Sequence, residues 1–441
     1  MKYTYGLAAL LCAGLTQVSS ANMVFATNEV ADLIMKFEES TGEYKGAFSS
    51  FTTGTIVDME CGLDGYLYVL TTEGGGKIIK LNPYDGTYAG SFATGFLTSP
   101  RGLAVSPTGQ LYVSQTTTPA IVRFETDGTY KGSFGDGFVN TSFYGTLACD
   151  SNDIVYAINT TADQIVKFVG STGEFKGFVG TGFSPNFWSL ATDNLGMLYA
   201  RTYSGTVHEA PVMRFDSTDG TYKGTFGNGF IYGSGIEAGL IIMPDGTAIV
   251  NTYMGGLGHS LMRFNATDGK YEGYFGFGFI NGYALAQERA VPITGKITLE
   301  ACATVPAGTN ATISVYKAGT NAILEQYTVP VAADGSYSVK VYNRGSLDIY
   351  AKTPRNLQKK VTVVNDVDGL SGVNFTNLLG GDANNDNYIG TDDYLILNGA
   401  FDTFLGDALY DSRADFKCDN YIGTDDYLVL NGNFDTLGDA P

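Results

Sequence analysis

A segment of about forty-five residues recurs six times in the N-terminal part of the chain, and this repeat restricts the possible folds more than any other feature. Its clearest copies are IVRFETDGTYKGSFGDGF from Ile121, VMRFDSTDGTYKGTFGNGF from Val212 and LMRFNATDGKYEGYFGFGF from Leu261. A period of this length is typical of one supersecondary unit that is stacked many times. The residues that anchor the six copies are Phe37, Leu81, Phe124, Phe168, Phe215 and Phe264.

Each copy is predicted to contain four short strands. The IVRF-type run and the YKGSF-type run flank an Asp-Gly dipeptide, which accepts the positive φ angles of a tight hairpin turn. A second hairpin lies upstream, as in GLAVSPTGQLYVSQ at residues 102–115. Four strands in every repeat, arranged radially, form the blade of a β-propeller.

The two ends of the repeat region are predicted to complete one shared blade. Only one strand, at residues 24–26, fits before the first copy, and one inner-strand candidate, at residues 283–286, remains after the last. Together they supply three strands from the N-terminus and one from the C-terminus, which closes the ring. The fold class is therefore predicted to be mainly β, with a six-bladed propeller over residues 22–290 and seven blades as the alternative.

The repeat also resembles the NHL-repeat propellers. The matching pattern is PRGLAV at residues 100–105, a glycine turn, LYV at residues 111–113, and then IVRF with a closing Phe-Gly. The chain departs from that family in lacking the acidic residue that often follows the LYV-type strand. The resemblance implies a propeller, but this architecture is used by enzymes and by binding proteins alike.

Residues 291–378 are predicted to form a β-sandwich. The Phe-Gly repeat stops, and about seven segments follow in which apolar and polar residues alternate, as in residues 336–342. Such alternation is typical of sheets with one buried face, and two such sheets form a sandwich. The segment resembles carboxypeptidase-regulatory-like domains, which implies a spacer role.

The segment DANNDNYIGTDDYLILNG, which begins at Asp382, has the ligand spacing of a calcium-binding loop. Oxygen-bearing side chains stand at loop positions 1, 3, 5 and 12, and position 7 offers its backbone carbonyl, as a hard cation requires. Asn387 at position 6 tolerates the left-handed backbone that glycine usually supplies there. Thr391 is expected to cap an exit helix over residues 392–399. The predicted calcium ligands are Asp382, Asn384, Asp386, Tyr388 and Asp393.

The same pattern returns from Asp415 with one change. Position 3 is Lys417, which brings a positive charge in place of an oxygen. The second loop is therefore expected to bind calcium more weakly than the first, or to rely on water. Its predicted ligands are Asp415, Asp419, the Tyr421 carbonyl and Asp426.

Two loop–helix units of this kind at the C-terminus resemble a dockerin, and the resemblance covers residues 379–441. It implies a small α-helical module that docks onto a cohesin-like or cell-surface protein. Cellulosomal dockerins often carry Ser-Thr at loop positions 10 and 11, whereas this chain has Thr391-Asp392 and Thr424-Asp425. The difference concerns partner recognition and leaves the predicted calcium ligands unaffected.

Residues 1–21 are predicted to be a signal peptide. Lys2 supplies a positive start, residues 5–15 are apolar, and small residues precede a cleavage site at Asn22. The apolar run is too short to span a bilayer, and no later segment resembles a transmembrane helix. The protein is therefore expected to be secreted, extracellular or at the cell surface.

The remaining cysteines do not have the paired spacing of a zinc site. A chain of this length does not need disulfides to be stable, so buried thiols are expected and no bridge is predicted. The cysteines beyond the signal peptide are Cys61, Cys149, Cys302 and Cys418.

The charge of the chain excludes one class of partner. With 26 Lys and Arg residues against 45 Asp and Glu residues, the formal net charge is −19. Such a surface repels phosphate backbones, so nucleic acid is not expected as a partner, whereas cations are attracted.

The channel mouth at which the inner strands begin is the predicted ligand site of the propeller. Inner-strand starts also include Asp58 and Tyr283, and both histidines lie in loops that open on this face. Aromatic and arginine side chains there suit a glycan or a peptide, although the same aromatic side chains would equally fill the channel. The candidate ligand-binding residues are Arg101, Tyr144, Trp188, His208, Glu237 and His259.

These features predict a secreted bacterial binding or scaffold protein with calcium as its cofactor. No catalytic residue is assigned. The metal ligands of lactonase-type and NHL-type lyase propellers are only partly matched in this chain, by His208, His259, Glu209 and Glu237. The alternative is a secreted propeller enzyme, active as a lactonase, as a lyase or on glycans, with its site at the channel mouth.

Overall fold

The computed structural model describes most of the chain as two compact units. One unit covers residues 23–292 with Gly369, and the other covers residues 293–365 and 370–440, within the described ranges. The predicted signal peptide and the candidates Tyr144, His208, Glu209, Glu237 and Tyr283 lie outside the described residues. The described ranges are 23–140, 147–183, 186–193, 195–203, 210–231, 239–253, 259–282, 284–321, 323–343, 345–365 and 369–440.

The first unit is built from short antiparallel strands with one 3-10 turn, η1, over Glu73–Gly75. Its strands are β1 (Met23–Asn28), β2 (Leu33–Glu38), β3 (Tyr44–Ser49), β4 (Ile56–Cys61), β5 (Leu67–Thr71), β6 (Lys77–Leu81), β7 (Tyr88–Phe92), β8 (Pro100–Val105), β9 (Leu111–Gln115), β10 (Ile121–Phe124), β11 (Tyr130–Phe134), β12 (Leu147–Cys149), β13 (Ile154–Asn159), β14 (Gln164–Val169), β15 (Phe175–Val179), β16 (Phe187–Thr192), β17 (Met197–Thr202), β18 (Val212–Asp216), β19 (Tyr222–Phe226), β20 (Leu240–Ile242), β21 (Thr247–Tyr253), β22 (His259–Asn265), β23 (Tyr271–Phe275) and β24 (Leu285–Gln287).

These strands form repeated four-stranded sheets, six of them in the described residues of the unit. The innermost strands β4, β8, β12, β16, β20 and β24 follow one another in cyclic contact. Repeated sheets around one axis fit a β-propeller. Large apolar side chains, Phe124 and Phe215 among them, are buried between neighbouring sheets.

The last strand of the repeat region pairs with the first. β24 lies antiparallel to β1, with Ala286 opposite Phe25, in a sheet of order β24-β1-β2-β3. The predicted blade shared by the two ends of the region is therefore confirmed. Closure in this way joins the first and last repeats through backbone hydrogen bonds of one sheet.

Glycine in the Asp-Gly turns serves both the turn and the packing between sheets. Gly269 has a φ of +78°, and a Cβ atom there would lie 2.6 Å from the Cβ atom of Phe226 in the preceding sheet. Gly128 stands in the same relation to Phe92, at 2.8 Å. Only glycine combines the left-handed backbone with this close approach, which explains why the dipeptide recurs.

The basic residue immediately before each anchor connects neighbouring sheets. Arg263 Nη1 donates hydrogen bonds to the carbonyl oxygens of Glu39 at 2.7 Å and Ser40 at 2.8 Å, and so joins the last repeat to the first. Hydrogen bonds from a charged donor stabilise more than neutral ones do. The other five donors and their carbonyl partners are Lys36 with Tyr84, Lys80 with Thr126, Arg123 with Gly170 and Ser171, Lys167 with Thr218, and Arg214 with Ala266 and Thr267.

The second unit begins with two sheets that pack face to face. One has the order β28-β25-β31 and the other the order β27-β26-β29-β30. Ile313 and Ile349 of the larger sheet share one core with Phe375 of the smaller sheet. The strands are β25 (Val291–Leu299), β26 (Asn310–Lys317), β27 (Ile323–Pro330), β28 (Ser336–Val341), β29 (Gly345–Lys352), β30 (Lys359–Asn365) and β31 (Phe375–Leu378).

The C-terminal segment of this unit has two loop–helix repeats that interlock. Helices α1 (Thr391–Gly399) and α2 (Thr424–Gly432) each follow one of the predicted loops. Each loop contributes a two-residue strand that pairs with the segment after the other helix, so neither loop is independent of the other repeat. The strands are β32 (Tyr388–Ile389), β33 (Thr403–Phe404), β34 (Tyr421–Ile422) and β35 (Thr436–Leu437).

Two expectations from the sequence were wrong in this unit. Thr391 is the first helical residue and not the cap, because Gly390 takes the N-cap position and donates its N–H to the carboxylate of Asp393. Cys302 and Cys418 form a disulfide with their Cα atoms 5.3 Å apart. The bridge connects the sandwich to the second loop, and a proximity created by tertiary packing between distant residues is not visible in cysteine spacing.

Candidate functional site

The first C-terminal loop buries the carboxylate at its first position. Asp382 is 0 % exposed. Its Oδ2 atom accepts hydrogen bonds from the Asn387 backbone N–H at 3.0 Å and from Lys352 Nζ at 2.5 Å. Its Oδ1 atom is buried, and the described residues supply it with no hydrogen-bond partner. Burial raises the pKa of Asp382, and the hydrogen bond from Lys352 opposes that shift.

The other predicted ligands of this loop are oriented by its backbone. Asp393 Oδ1 accepts from the Asn384 N–H at 3.0 Å, and Asp393 Oδ2 accepts from the Gly390 N–H at 2.8 Å. Asp386 Oδ1 accepts from the Tyr388 N–H at 2.9 Å. The structure therefore brings the sequence-predicted residues together around one turn of chain.

The second loop repeats this arrangement closely. Asp426 accepts from the backbone N–H groups of Lys417 at 2.9 Å and Gly423 at 2.9 Å. Asp415 Oδ2 accepts hydrogen bonds from the Asn420 N–H at 3.1 Å and from the Tyr410 hydroxyl at 2.8 Å. The Tyr410 hydroxyl thus replaces Lys352, which donates to the equivalent carboxylate of the first loop. The two loops therefore orient their first and last carboxylates with equivalent backbone hydrogen bonds.

The Lys417 side chain pairs with Asp425, which is not a predicted calcium ligand. Its Nζ atom lies 2.7 Å from Asp425 Oδ2, on a pair of side chains that are 40 % and 61 % exposed. The positive charge is therefore paired with a carboxylate at loop position 11, outside the predicted ligand set. The loop still lacks an oxygen at position 3, where the first loop has Asn384.

Burial of four carboxylates in so small a segment fits a bound divalent cation. Asp382, Asp393, Asp415 and Asp426 are each 3 % exposed or less, and only Asp382 has a cationic side-chain partner among the ion pairs of the described residues. Buried charge is costly unless it is paired or coordinates a metal. Within the described ranges no three His, Cys, Asp or Glu side chains are grouped closely enough to hold a metal by themselves. The first loop would instead combine carboxylates with the Asn384 amide and a backbone carbonyl, and the second loop would combine carboxylates with a backbone carbonyl, which suits calcium.

The two exit helices present a matched apolar surface. Leu395 of α1 and Leu428 of α2 are both 58 % exposed, and the rings of Tyr394 and Tyr427 lie 6.4 Å apart beside them. Exposed apolar side chains arranged in a contiguous patch commonly mark an interaction surface. The Thr-Asp pairs at loop positions 10 and 11 are exposed at the start of the same helices.

In the first unit, hereafter called the ring unit, two of the described candidates lie at the starts of inner strands. Arg101 and Trp188 occupy positions where the pairing register shifts, and such bulges re-aim a side chain. Trp188 is 6 % exposed and stacks on Tyr203 with ring centroids 4.3 Å apart. His259 begins β22 and contacts the ring of Tyr253 at 5.1 Å. One face of Trp188 is therefore already covered by a protein ring.

A cavity of about 290 Å³ lies at the opposite ends of the inner strands. Glu60 and Arg289 line it as an ion pair with an N–O distance of 3.3 Å. Burial raises the pKa of Glu60, although Arg289 counteracts the shift. Burial also raises the pKa of the Cys149 thiol, so this cysteine is a poor nucleophile.

Sequence reasoning did not identify several residues that shape these sites. Lys352 and Arg355 lie in or just after the last part of β29, more than twenty residues before the first loop, and their sequence context is that of an ordinary strand end. The cavity residues Glu60 and Arg289 come from opposite ends of the ring unit. No short-range pattern connects such positions, so only the folded arrangement reveals them.

Comparison with known proteins shows likeness to solved structures only. No family model matches the chain, and no curated protein sequence matches it. A structure of a nidogen/laminin complex has 14 % identity and a TM-score of 0.45, covering 60 % of this chain and 98 % of that one. Streptogramin B lyase has 16 % identity and a TM-score of 0.40, covering 62 % and 89 %. A type II cohesin-X-dockerin complex from Acetivibrio cellulolyticus has 18 % identity and a TM-score of 0.27, covering 34 % and 97 %.

None of the helices in the described ranges has the length and apolar character needed to cross a membrane. α1 and α2 contain nine residues each, whereas a spanning helix needs about twenty.

Proposed function

We propose that this chain is a secreted, calcium-binding attachment or scaffold protein. In this proposal the two C-terminal loops bind calcium and the helices that follow them dock onto a partner protein. The repeated sheets of the ring unit are the blades of a six-bladed propeller that recognises an extracellular ligand. The export signal predicted for residues 1–21 supports the extracellular setting, where calcium is abundant.

The observation that carries the calcium proposal is the burial of the carboxylates that begin and end each loop. Asp382 Oδ1 is an acceptor without a hydrogen bond from the described residues, at the first ligand position of a calcium loop. In the first loop the ion would be held by Asp382, Asn384, Asp386, the Tyr388 carbonyl and Asp393. A bound calcium would offset the cost of burying these charges.

Isothermal titration of the chelator-stripped chain with CaCl₂ tests the calcium proposal. We expect saturable binding of calcium and much weaker binding of magnesium, because these loops offer more oxygen ligands than magnesium usually takes from protein. Asp386→Ala should remove the tighter site, whereas Asp392→Ala, an exposed neighbour outside the ligand set, should leave it unchanged. Absence of calcium binding at millimolar concentration would refute the proposal.

The surface around Leu395 and Leu428 is the proposed docking site. It combines exposed apolar side chains with the Thr-Asp pairs at the helix starts, and it occurs twice in matched positions. Apolar anchors surrounded by polar groups are typical of specific protein interfaces.

A pull-down with a panel of cohesin-type and cell-surface domains tests docking. Leu395→Lys together with Leu428→Lys should abolish calcium-dependent capture, because a charge replaces each apolar anchor. Leu409→Lys is the matched control, since Leu409 is 70 % exposed but lies outside both helices. Equal capture of all forms would place the docking surface elsewhere.

Ligand binding rather than catalysis is the proposed role of the propeller. The described lining of the cavity offers an ion pair between Glu60 and Arg289 and a thiol whose pKa is raised, which is not a nucleophile–base arrangement. A glycan or peptide is the proposed ligand, at the face where the inner strands begin. Glycan and peptide arrays probed with the wild-type chain and with Arg101→Ala test this, and equal binding would contradict a site at that face.

A further inference from the structure

The fourth position of the second loop has a backbone conformation that its side chain does not favour. Cys418 has a φ of 59°, in the left-handed region, and the equivalent residue of the first loop, Asn385, has a φ of 67°. Asparagine enters this region readily, whereas cysteine does so at a cost. The second loop therefore needs an outside constraint to hold a conformation that the first loop adopts with a suitable residue.

The sandwich supplies that constraint through a covalent bond. Cys418 is joined to Cys302, which lies just after β25 in the sandwich. In the loop, Cys418 stands between Lys417 and the predicted ligand Asp419. The bridge therefore acts on the segment whose shape decides where the ligands of the second loop lie.

Arg355, just after β29, adds a second connection from the sandwich to the same loop. Its Nη1 atom donates hydrogen bonds to the carbonyl oxygens of Asp415 at 2.6 Å and Ser412 at 3.0 Å. Its Nη2 atom lies 3.8 Å from Cys418 Sγ. The loop is thus fixed to the sandwich both at its first ligand residue and at its fourth position.

We propose that the Cys302–Cys418 disulfide and Arg355 hold the second loop in its calcium-binding shape, so that reduction of the disulfide releases calcium from this loop and not from the first. This inference rests on the proposed calcium binding. The second loop has one oxygen ligand fewer, because Lys417 stands at position 3, and a site with fewer ligands depends more on being preorganised. Residues that orient metal ligands commonly contribute ten- to a hundredfold in metal affinity.

The chemistry of the switch is ordinary thiol–disulfide exchange. A dithiol reductant transfers two electrons to the Sγ–Sγ bond, each cysteine sulfur takes up one proton, and the dithiol is oxidised to its own disulfide. The first loop has no cysteine. Its connections to the sandwich include the hydrogen bond from Lys352 to Asp382 and the one from the Asp382 N–H to the Arg355 carbonyl oxygen at 3.2 Å, and a reductant alters neither.

The test titrates each loop separately with CaCl₂ in the full chain. Asp386→Ala removes calcium binding by the first loop, so that the titration measures the second loop alone. Asp419→Ala removes binding by the second loop, so that the titration measures the first. Dithiothreitol is expected to weaken calcium binding of the Asp386→Ala chain about tenfold or more, and to leave the Asp419→Ala chain unchanged. Adding Cys302→Ser to Asp386→Ala should give the weakened affinity without reductant and remove any further effect of it.

Three outcomes would overturn the inference. One is an unchanged affinity of the second loop after a thiol assay shows two additional thiols per chain. Another is absence of calcium binding by the oxidised Asp386→Ala chain while Asp419→Ala binds normally. The third is full recovery of affinity in Asp386→Ala/Cys302→Ser/Cys418→Asn, which would assign the whole effect to backbone preference. If neither loop binds calcium, the proposed function itself fails.

Discussion

At the scale of single residues, the basic side chain of each repeat connects one sheet of the ring to the next. Lysine and arginine each occupy this position three times, and both donate to carbonyl oxygens in the hairpin turn of the next repeat. The residue type is therefore restricted by charge and reach rather than by the guanidinium group itself. Arg263 is the informative case, because it acts between the last and the first repeat.

Replacing Arg263 tests this interpretation. Arg263→Ala removes two charge-assisted hydrogen bonds and should lower the free energy of unfolding of the ring unit by about 2–3 kcal/mol. Arg263→Lys should lose less than half of that, because Lys36 and Lys167 fill the same position elsewhere. Urea unfolding followed by the fluorescence of Trp188, the only tryptophan of the chain, reports this unit alone. Equal losses in both variants would contradict the interpretation.

Asp58 is a half-buried carboxyl whose titration should affect the stability of the ring unit. Its Oδ1 atom accepts from the Met59 N–H and its Oδ2 atom from the Leu103 N–H, each at 2.9 Å. Burial raises its pKa from 3.8 to about 8, although both backbone hydrogen bonds favour the charged form. The folded chain therefore keeps a proton on Asp58 over a pH range in which the unfolded chain has lost it.

The sign of the resulting pH dependence follows from proton linkage. A raised carboxyl pKa gives a contribution that is full at low pH and is lost as the pH rises from 3.8 towards 8. The free energy of unfolding of the ring should fall over this range, and the fall should be shallower in Asp58→Asn. Asp268→Asn is the control, since an exposed Asn-Gly keeps the same turn. Identical slopes in all three chains, measured by Trp188 fluorescence, would contradict the prediction.

At the scale of elements, local patterns predicted the hairpins, the closing strand β24 and the loop–helix pairs. The Asp-Gly turns and the 1, 3, 5, 7, 12 ligand spacing are short-range signals, and each is decided within about fifteen residues. The parallel pairing of β25 with β31 and the contact of Lys352 with Asp382 involve residues that are distant in sequence. Their positions depend on how finished elements pack, so a single sequence could not specify them.

The missing oxygen of the second loop gives an element-scale prediction. Lys417→Asn restores the residue type of Asn384 and should raise the calcium affinity of the second loop about tenfold, because ligand number and charge set affinity in such loops. Lys417→Met removes the charge without adding an oxygen and separates the two effects. Titration in the Asp386→Ala chain measures both variants. A gain from Lys417→Met as large as that from Lys417→Asn would assign the deficit to charge alone.

At the scale of the whole molecule, the chain forms two compact units, and bound calcium is expected to stabilise only the second of them. All predicted calcium ligands lie in the second unit, and the only tryptophan lies in the first. A ligand stabilises the folded unit that binds it by mass action, and the effect is about 2.7 kcal/mol at a hundred times the dissociation constant. Chelation should therefore affect the stability of the two units unequally.

Thermal unfolding with and without EDTA measures this inequality. In calcium the second unit should melt about 5–10 °C higher than in EDTA, as followed by far-ultraviolet circular dichroism or by calorimetry. The Trp188 transition of the first unit should shift by less than about 1 °C, because no calcium ligand is predicted there. Asp386→Ala combined with Asp419→Ala should melt in calcium as the wild-type chain does in EDTA. A shift of the tryptophan transition as large as that of the second unit would show that calcium acts on the ring as well.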